Sequence, residues 1–324
     1  METNTASPFT YRNHPLDRTG PLRASTDARA DRAELHRRME QDGYLFLPGL
    51  LDRQQVLEAR GELLARLAKR GLLASDADPL AGVAAPGAAI DASATGALGR
   101  TLSQGNPHLD QVLYAGPMLE FYRFFLDGPV RHFDFTWFRA KPPGGSQTTT
   151  PHCDIVFMGR GTKRLYTSWT PFGDVPLGMG GLMVLENSHR QEKLKNTYGA
   201  GDVDLYCTNE GEAEQLITEA RRAGRDLTSR EKGRIRWDSS GAYSHDAVAV
   251  QNEWDGRWLT GPYQMGDVLI FSMYLMHASS DNHTNRIRLS SDTRYQRADE
   301  PIDERWIGAN PARHGIGAKR GTIC

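Results

Sequence analysis

The chain has 324 residues and is close to neutral, with 39 Lys and Arg against 40 Asp and Glu and a net charge of -1. That balance excludes a broad electrostatic pull toward nucleic acid or an anionic membrane, and no stretch is long and apolar enough to span a bilayer. The polar start METNTASPFTYRNHPLDR lacks the apolar core of a signal peptide, and three scattered cysteines (Cys153, Cys207, Cys324) suit a reducing compartment, so the expectation is a soluble cytoplasmic protein with no nucleic-acid or membrane partner.

In chain order, residues 1–26 read as a loosely ordered arm. DARADRAELHRRMEQ, from Asp27 to Gln41, is helical and charged and ends at Gly43; YLFLPG is then a short apolar strand stopped by Pro48. Asp52 with Gln55 resembles a capping box opening a second helix. In it Val56, Leu63, Leu64 and Leu67 recur at helical spacing, with Gly71 as its cap. Residues 75–100 are small and Ala/Gly-rich, a surface loop or lid, and Met118 to Leu126 suits a further helix. Beyond residue 130 the texture turns to strands: HFDFTWFRAK, DIVFM, RLYTSWTPF, GLMVLE, AVAVQ, RWLTG, DVLIFS and IRLSSDTRYQ, punctuated by Gly, Pro, Asn and Asp. Many short strands with turns predict a closed or double-sheet β architecture such as a jelly roll, braced by the N-terminal helices. This gives an arm (1–26) and one catalytic unit (27–324): helical support over 27–128, a barrel over 129–296 with an insertion at 191–244, and a C-terminal tail over 297–324. The insertion holds one helix candidate, EAEQLITEARRAG.

The pattern His-x-Asp occurs three times. His108 and Asp110 lie at a helix start, where Asp110 suits the first turn. His132 and Asp134 lie in an aromatic-rich strand as a structural or solvent-facing pair. His152 and Asp154 follow the turn-rich KPPGGSQTTTP and open an extended run, where residues i and i+2 share a side and Cys153 faces away. With the distant His277, two imidazoles and one carboxylate make the ligand set of a non-haem Fe(II) centre with three open positions. Arg286 and Arg288, on the strand after His277, offer the guanidinium that a dicarboxylate co-substrate needs. By the same parity Met158 shares the direction of His152 and Asp154 and is a substrate-pocket candidate. Arg139 and Lys141 share a strand face and could meet an anionic ligand, though charged strand ends often face water.

TPHCD, then SWTPFGDVPLGMGGLMVLENSHR, then YQMGDVLIFSMYLMHASSDNHTNRIRLSSDTRYQ resemble the phytanoyl-CoA dioxygenase-like (PhyH) family of Fe(II)/2-oxoglutarate-dependent oxygenases, over roughly residues 35–300. The resemblance implies a double-stranded β-helix, a cupin-like jelly-roll variant, with iron at one open end. It implies His152, Asp154 and His277 as iron ligands and Arg288 as the clamp on the distal carboxylate of 2-oxoglutarate. Ser290 stands beside Arg288, and Ser279 and Trp169 match further co-substrate positions; Trp169 suits the core equally well. Arg286 is the competing clamp, with a surface ion pair as its plainer role. The implied reaction takes O2, releases succinate and CO2 and hydroxylates a small-molecule C–H bond; Asp154 argues against a halogenase, in which that position is vacated. Desaturation or ring formation could use the same site. The insertion and residues 75–100 match the family poorly.

Two other readings stay open: a cupin-type oxygenase or isomerase that does not use 2-oxoglutarate, and a non-catalytic jelly-roll binding protein. His189 reads as structural, His283 as a solvated turn residue, and His245, Trp237, Trp254 and Trp258 as an entrance lining or as packing. Neither substrate identity nor oligomeric state is legible in the residues.

Overall fold

The computed structural model describes residues 9–93, 96–145, 147–204, 211–234, 241–314 and 318. Residues 9–26, expected as a loose arm, instead form a small hairpin, β1 (Thr10–Tyr11) with β2 (His14–Pro15), and a third strand β3 (Thr19–Pro21). Tyr11 and Leu16 are buried, and their apolar area holds the segment down. Helix α1 (Arg32–Asp42) is shorter than its charged pattern because Asp31 caps it, accepting from the Glu34 amide. Gly43 ends it in the left-handed region at φ 77°. A Cβ there would lie 2.6 Å from Nδ1 of His189, so this glycine is required twice over. Strand β4 (Tyr44–Leu47) follows, and Asp52 caps α2 (Arg53–Ala68) through the Gln55 amide as expected.

Helices α3 (Ala97–Ser103), α4 (Pro107–Tyr114) and α5 (Gly116–Leu126) complete the support. The Val56, Leu63, Leu64 and Leu67 stripe of α2 is buried in one core with Leu45, Phe121, Phe125, Phe138 and Ile270, each large side chain contributing about 2 kcal/mol.

The expected strand 132–141 is two strands, β5 (Val130–His132) and β6 (Trp137–Lys141). DIVFM is not a strand: Asp154 sits at φ -63°, ψ -23°, its carbonyl accepts from the Met158 amide at 3.1 Å, and α6 (Ile155–Met158) follows. A short apolar run buried on every side has no period to separate helix from strand. Next come β7 (Tyr166–Pro171), β8 (Leu182–Leu185), α7 (Glu192–Asn196), α8 (Gly211–Arg222) and α9 (Ser229–Arg234), α8 being the insertion's expected helix. AVAVQ is also helical, as α10 (Ala247–Glu253), because Asp246 caps it by accepting from the amides of Val248 and Ala249 and because Ala247, Val250 and Gln251 bury one helical face. Strands β9 (Trp258–Thr260), β10 (Val268–Ser272), β11 (His277–Ser279) and β12 (Arg288–Arg297) close the series.

The strands form two layers. The larger sheet runs β4-β10-β7-β12-β5, with β6 also paired to β12; the smaller runs β11-β8-β9-β3. Among the strand pairs of the described residues, β3 with β9 is the parallel one. This is a jelly roll of two facing sheets, not a closed barrel. β11 belongs to the small sheet and β12 to the large one, so the chain between them crosses one open end. Among the described residues no helix is long and apolar enough to cross a membrane.

Candidate metal and co-substrate site

Three side chains meet at that open end. His152 and His277 form an isolated antiparallel bridge, each amide donating to the other's carbonyl at 3.1 and 2.9 Å. The chain is extended only as far as His152 and then turns in at Asp154. Strand parity gave the right pairing for the wrong reason: a turn, not a pleat, aims His152 and Asp154 at one point. Nε2 of each histidine lies 3.8 Å from Oδ1 of Asp154, and one ligand atom from each residue lies within 4.8 Å of the others.

The rings are held from behind. Nδ1 of His152 is 2.7 Å from the Thr150 carbonyl and Nδ1 of His277 is 3.0 Å from the Leu275 carbonyl. A carbonyl only accepts, so both Nδ1 atoms carry the proton and both Nε2 lone pairs face the shared centre. Burial, then the neighbouring His277, pushes the pKa of His152 down to about 3; burial likewise lowers that of His277. Both are therefore neutral donors. Burial acts to raise the pKa of Asp154, but the charge of Arg294 and the hydrogen bond from Thr167 act against it and hold the carboxylate ionised. Its outer oxygen Oδ2 accepts from Thr167 Oγ1 and, at 3.0 Å, from Arg294 Nη2, leaving Oδ1 toward the histidines. Two neutral imidazoles and one carboxylate with their second atoms occupied fit a ferrous ion.

Arg288 is buried beside this centre. It donates through Nη1 to Ser290 Oγ, but its Nε has no partner. Burial first, then Arg139, lowers its pKa to about 10, so it stays charged at neutral pH. It lines a cavity of about 240 Å³ with Arg139, Lys141 and Thr149. An unanswered guanidinium N–H in such a cavity fits a carboxylate. Ser290 accepts from Arg288 and keeps its own O–H to donate. Ser279 accepts from Lys141 Nζ and the Thr149 amide, both at 2.9 Å, and so fastens the cavity wall. Lys141 also donates to the Ser280 carbonyl and lies opposite Arg288 in the sheet, nearer the co-substrate cavity than a substrate pocket. Trp169 is core, packed on Tyr263 with the Arg288 guanidinium 5.6 Å from its ring. Arg286 is exposed.

A second cavity, about 380 Å³, adjoins His152 and Asp154 and is lined by Trp137, Arg139, Phe157, Met158, Arg294 and His314 among others. Met158 reaches it from a helix. His132 pairs at 3.8 Å with Asp134 and packs on Tyr114, and His108 faces Glu58 at 3.8 Å. His189 holds the Glu40 carbonyl at 3.0 Å; His283 and His245 are exposed. Trp258 is fully buried, its indole N–H donating to Ala247, and Trp254 packs on Tyr243. Trp237 and Cys207 lie outside the described residues.

Comparison with known proteins bears on this geometry. The family model for phytanoyl-CoA dioxygenase (PhyH) matches residues 39–290. The chain belongs to the phytanoyl-CoA dioxygenase family. As a member of that family it is a 2-oxoglutarate-dependent oxygenase, and the phytanoyl-CoA dioxygenase family works with Fe(II), 2-oxoglutarate and O2. Relatives named 1-deoxypentalenic acid 11-beta-hydroxylase, from Streptomyces exfoliatus and Streptomyces arenae, are 26% identical over 283 and 280 residues, 83% of this chain and 82% of theirs. Among solved structures, the epimerase SnoN from nogalamycin biosynthesis, in complex with Fe3+, alpha ketoglutarate and nogalamycin RO, is 20% identical with a TM-score of 0.52, covering 88% of this chain and 94% of that one. The carbocyclase SnoK, at 16% identity and a TM-score of 0.51, covers 92% and 98%. These two share the fold of this phytanoyl-CoA dioxygenase family member.

Proposed function

We propose that this oxygenase hydroxylates an unactivated C–H bond of a small-molecule substrate, one oxygen atom of O2 entering the product and the other entering succinate as 2-oxoglutarate loses CO2. His152, Asp154 and His277 hold the iron, which when bound supplies the oxygen-activating chemistry. Arg288 and Ser290 hold the far carboxylate of 2-oxoglutarate, and Lys141, donating to Ser279 and the Ser280 carbonyl, fixes the wall of the same cavity. Arg139 and Met158 line the route to the substrate. Residues 27–324 act as one catalytic unit, in the cytoplasm.

The observation that carries this reading is the pair of imidazoles pinned through Nδ1 with both Nε2 atoms turned to one carboxylate oxygen. Arg288 counts against a cupin-type enzyme without 2-oxoglutarate, since nothing there would need a buried guanidinium with a free N–H. Asp154 in place counts against a halogenase. Hydroxylation, rather than desaturation or ring closure, is also what the names of the curated relatives state for those proteins. Adding 2-oxoglutarate to the Fe(II)-loaded protein without oxygen should produce a visible charge-transfer band. A folded, iron-loaded protein that shows no band would refute the proposal.

A further inference from the structure

Arg288, Ser290, Asp292 and Arg294 alternate along β12 and point to one side, into the molecule. Arg288 and Ser290 are used by the co-substrate reading; Arg294 is not. Its side chain is 4% exposed, its guanidinium stacks 4.0 Å from the Trp137 ring, and Nη2 is given to Asp154. Nε and Nη1 are buried with no partner, although the residue lines the larger cavity beside His152 and Asp154. Buried guanidinium donors are rarely left unanswered, because removing them from water is unfavourable unless an acceptor replaces it. Arg139 stands next to it from β6, lining both cavities, with only Nε engaged by Asp292 at 3.2 Å.

Charge points the same way. Burial, then Arg288, pushes the pKa of Lys141 well below its ordinary value, which leaves Arg139, Arg288 and Arg294 as the cations facing Asp154 and Asp292. Fe(II) and 2-oxoglutarate carry opposite double charges, so loading both leaves the cationic excess in place. Trp137, Phe157 and Met158 supply an apolar part of the wall, and Ser93, Thr148, Thr149, Thr150 and His314 a polar part.

Resting on the function proposed above, we propose that the substrate is a small carboxylic acid whose carboxylate accepts from the free N–H groups of Arg294, with Arg139 beside it, while its apolar body lies on Phe157 and Met158 next to the metal ligands. The chemistry that recognises it is a charge-assisted hydrogen bond in a dry cavity.

The test uses the Fe(II)- and 2-oxoglutarate-loaded enzyme and a library of small carboxylic acids sized to the cavity of about 380 Å³, each beside its methyl ester. Stimulated succinate release is the readout. Acids should stimulate, and their esters should need about tenfold to a hundredfold higher concentration or be inert. Arg294→Lys should raise the half-saturating concentration of the acid about tenfold without moving that of 2-oxoglutarate. Esters as effective as acids, or no stimulating acid in a library whose neutral members do stimulate, would overturn the inference. So would a variant whose 2-oxoglutarate requirement moves instead, or one in which acid and ester responses fall together, as a purely structural role would give. If the charge-transfer band is absent, the function itself has failed; if the band is present and acids are not preferred, only this inference has.

Discussion

Thr167 shows how much of the site lies one bond behind the ligands. Its hydroxyl donates to the outer oxygen of Asp154, so Thr167→Val keeps the shape of the side chain and removes the donor. Fe(II) affinity should fall about tenfold to a hundredfold, measured by anaerobic titration, while the far-ultraviolet spectrum stays unchanged. Arg288→Ala should raise the 2-oxoglutarate requirement by about a hundredfold with iron binding retained, since a buried charged hydrogen-bond partner is lost. Arg286→Ala, at an exposed position, should move it little. The proposed ligands and the proposed clamp Arg288 could be picked out because residue type alone restricts what iron and a dicarboxylate accept. Thr167 and Arg294 were not, because a threonine in a strand and one more arginine carry no such restriction. Parity along β12 was the available signal: counting on by two from Arg288 through Ser290 and Asp292 arrives at Arg294.

At the level of elements, alternating or turn-bounded strands could be read, and β4, β7, β8, β9, β10 and β12 lie where their patterns put them. DIVFM and AVAVQ misled because apolar runs of four or five residues carry no distinguishing period, and a capping aspartate or a turn-in backbone decided each. The insertion was opaque for another reason: its role lies in backbone bonds to a distant loop. Tyr243 and Val203 donate their amides to Pro151 and Val156, and the Tyr198 hydroxyl bridges the Cys153 amide at 3.2 Å and the Gly241 carbonyl at 2.5 Å. The insertion thus braces the very segment that carries His152 and Asp154. Tyr198→Phe should cost about 1–3 kcal/mol in denaturant unfolding and loosen Fe(II) as well, whereas a surface change in α8 should do neither.

For the molecule as a whole, two buried neutral histidines couple the site to stability. Their native pKa values lie below the unfolded value, in His152 at about 3 against 6.5. Above pH 6.5 both states are neutral and nothing is lost. As pH falls below 6.5 the unfolded chain takes up protons that the folded one refuses, and metal-free protein should lose about 1.4 kcal/mol per pH unit through His152, with His277 adding in the same direction. Urea unfolding of chelator-treated protein between pH 7 and 5 should show that slope; a flat profile would mean the rings are already protonated or solvated when folded. The two-sheet class was legible in the turn-punctuated strands, but pairings such as β4 with β10 join segments too far apart for any local pattern to announce.

β12 also acts as a ruler. Arg288 and Arg294 are six residues apart on one rigid, doubly flanked strand, which spans about 20 Å at roughly 3.3 Å per residue. Sliding that strand by a single position would invert every inward group at once. Adaptation to longer or shorter substrates is therefore confined to the covering walls, to Phe157, Met158 and the tail around His314, whose remodelling leaves the graduations untouched.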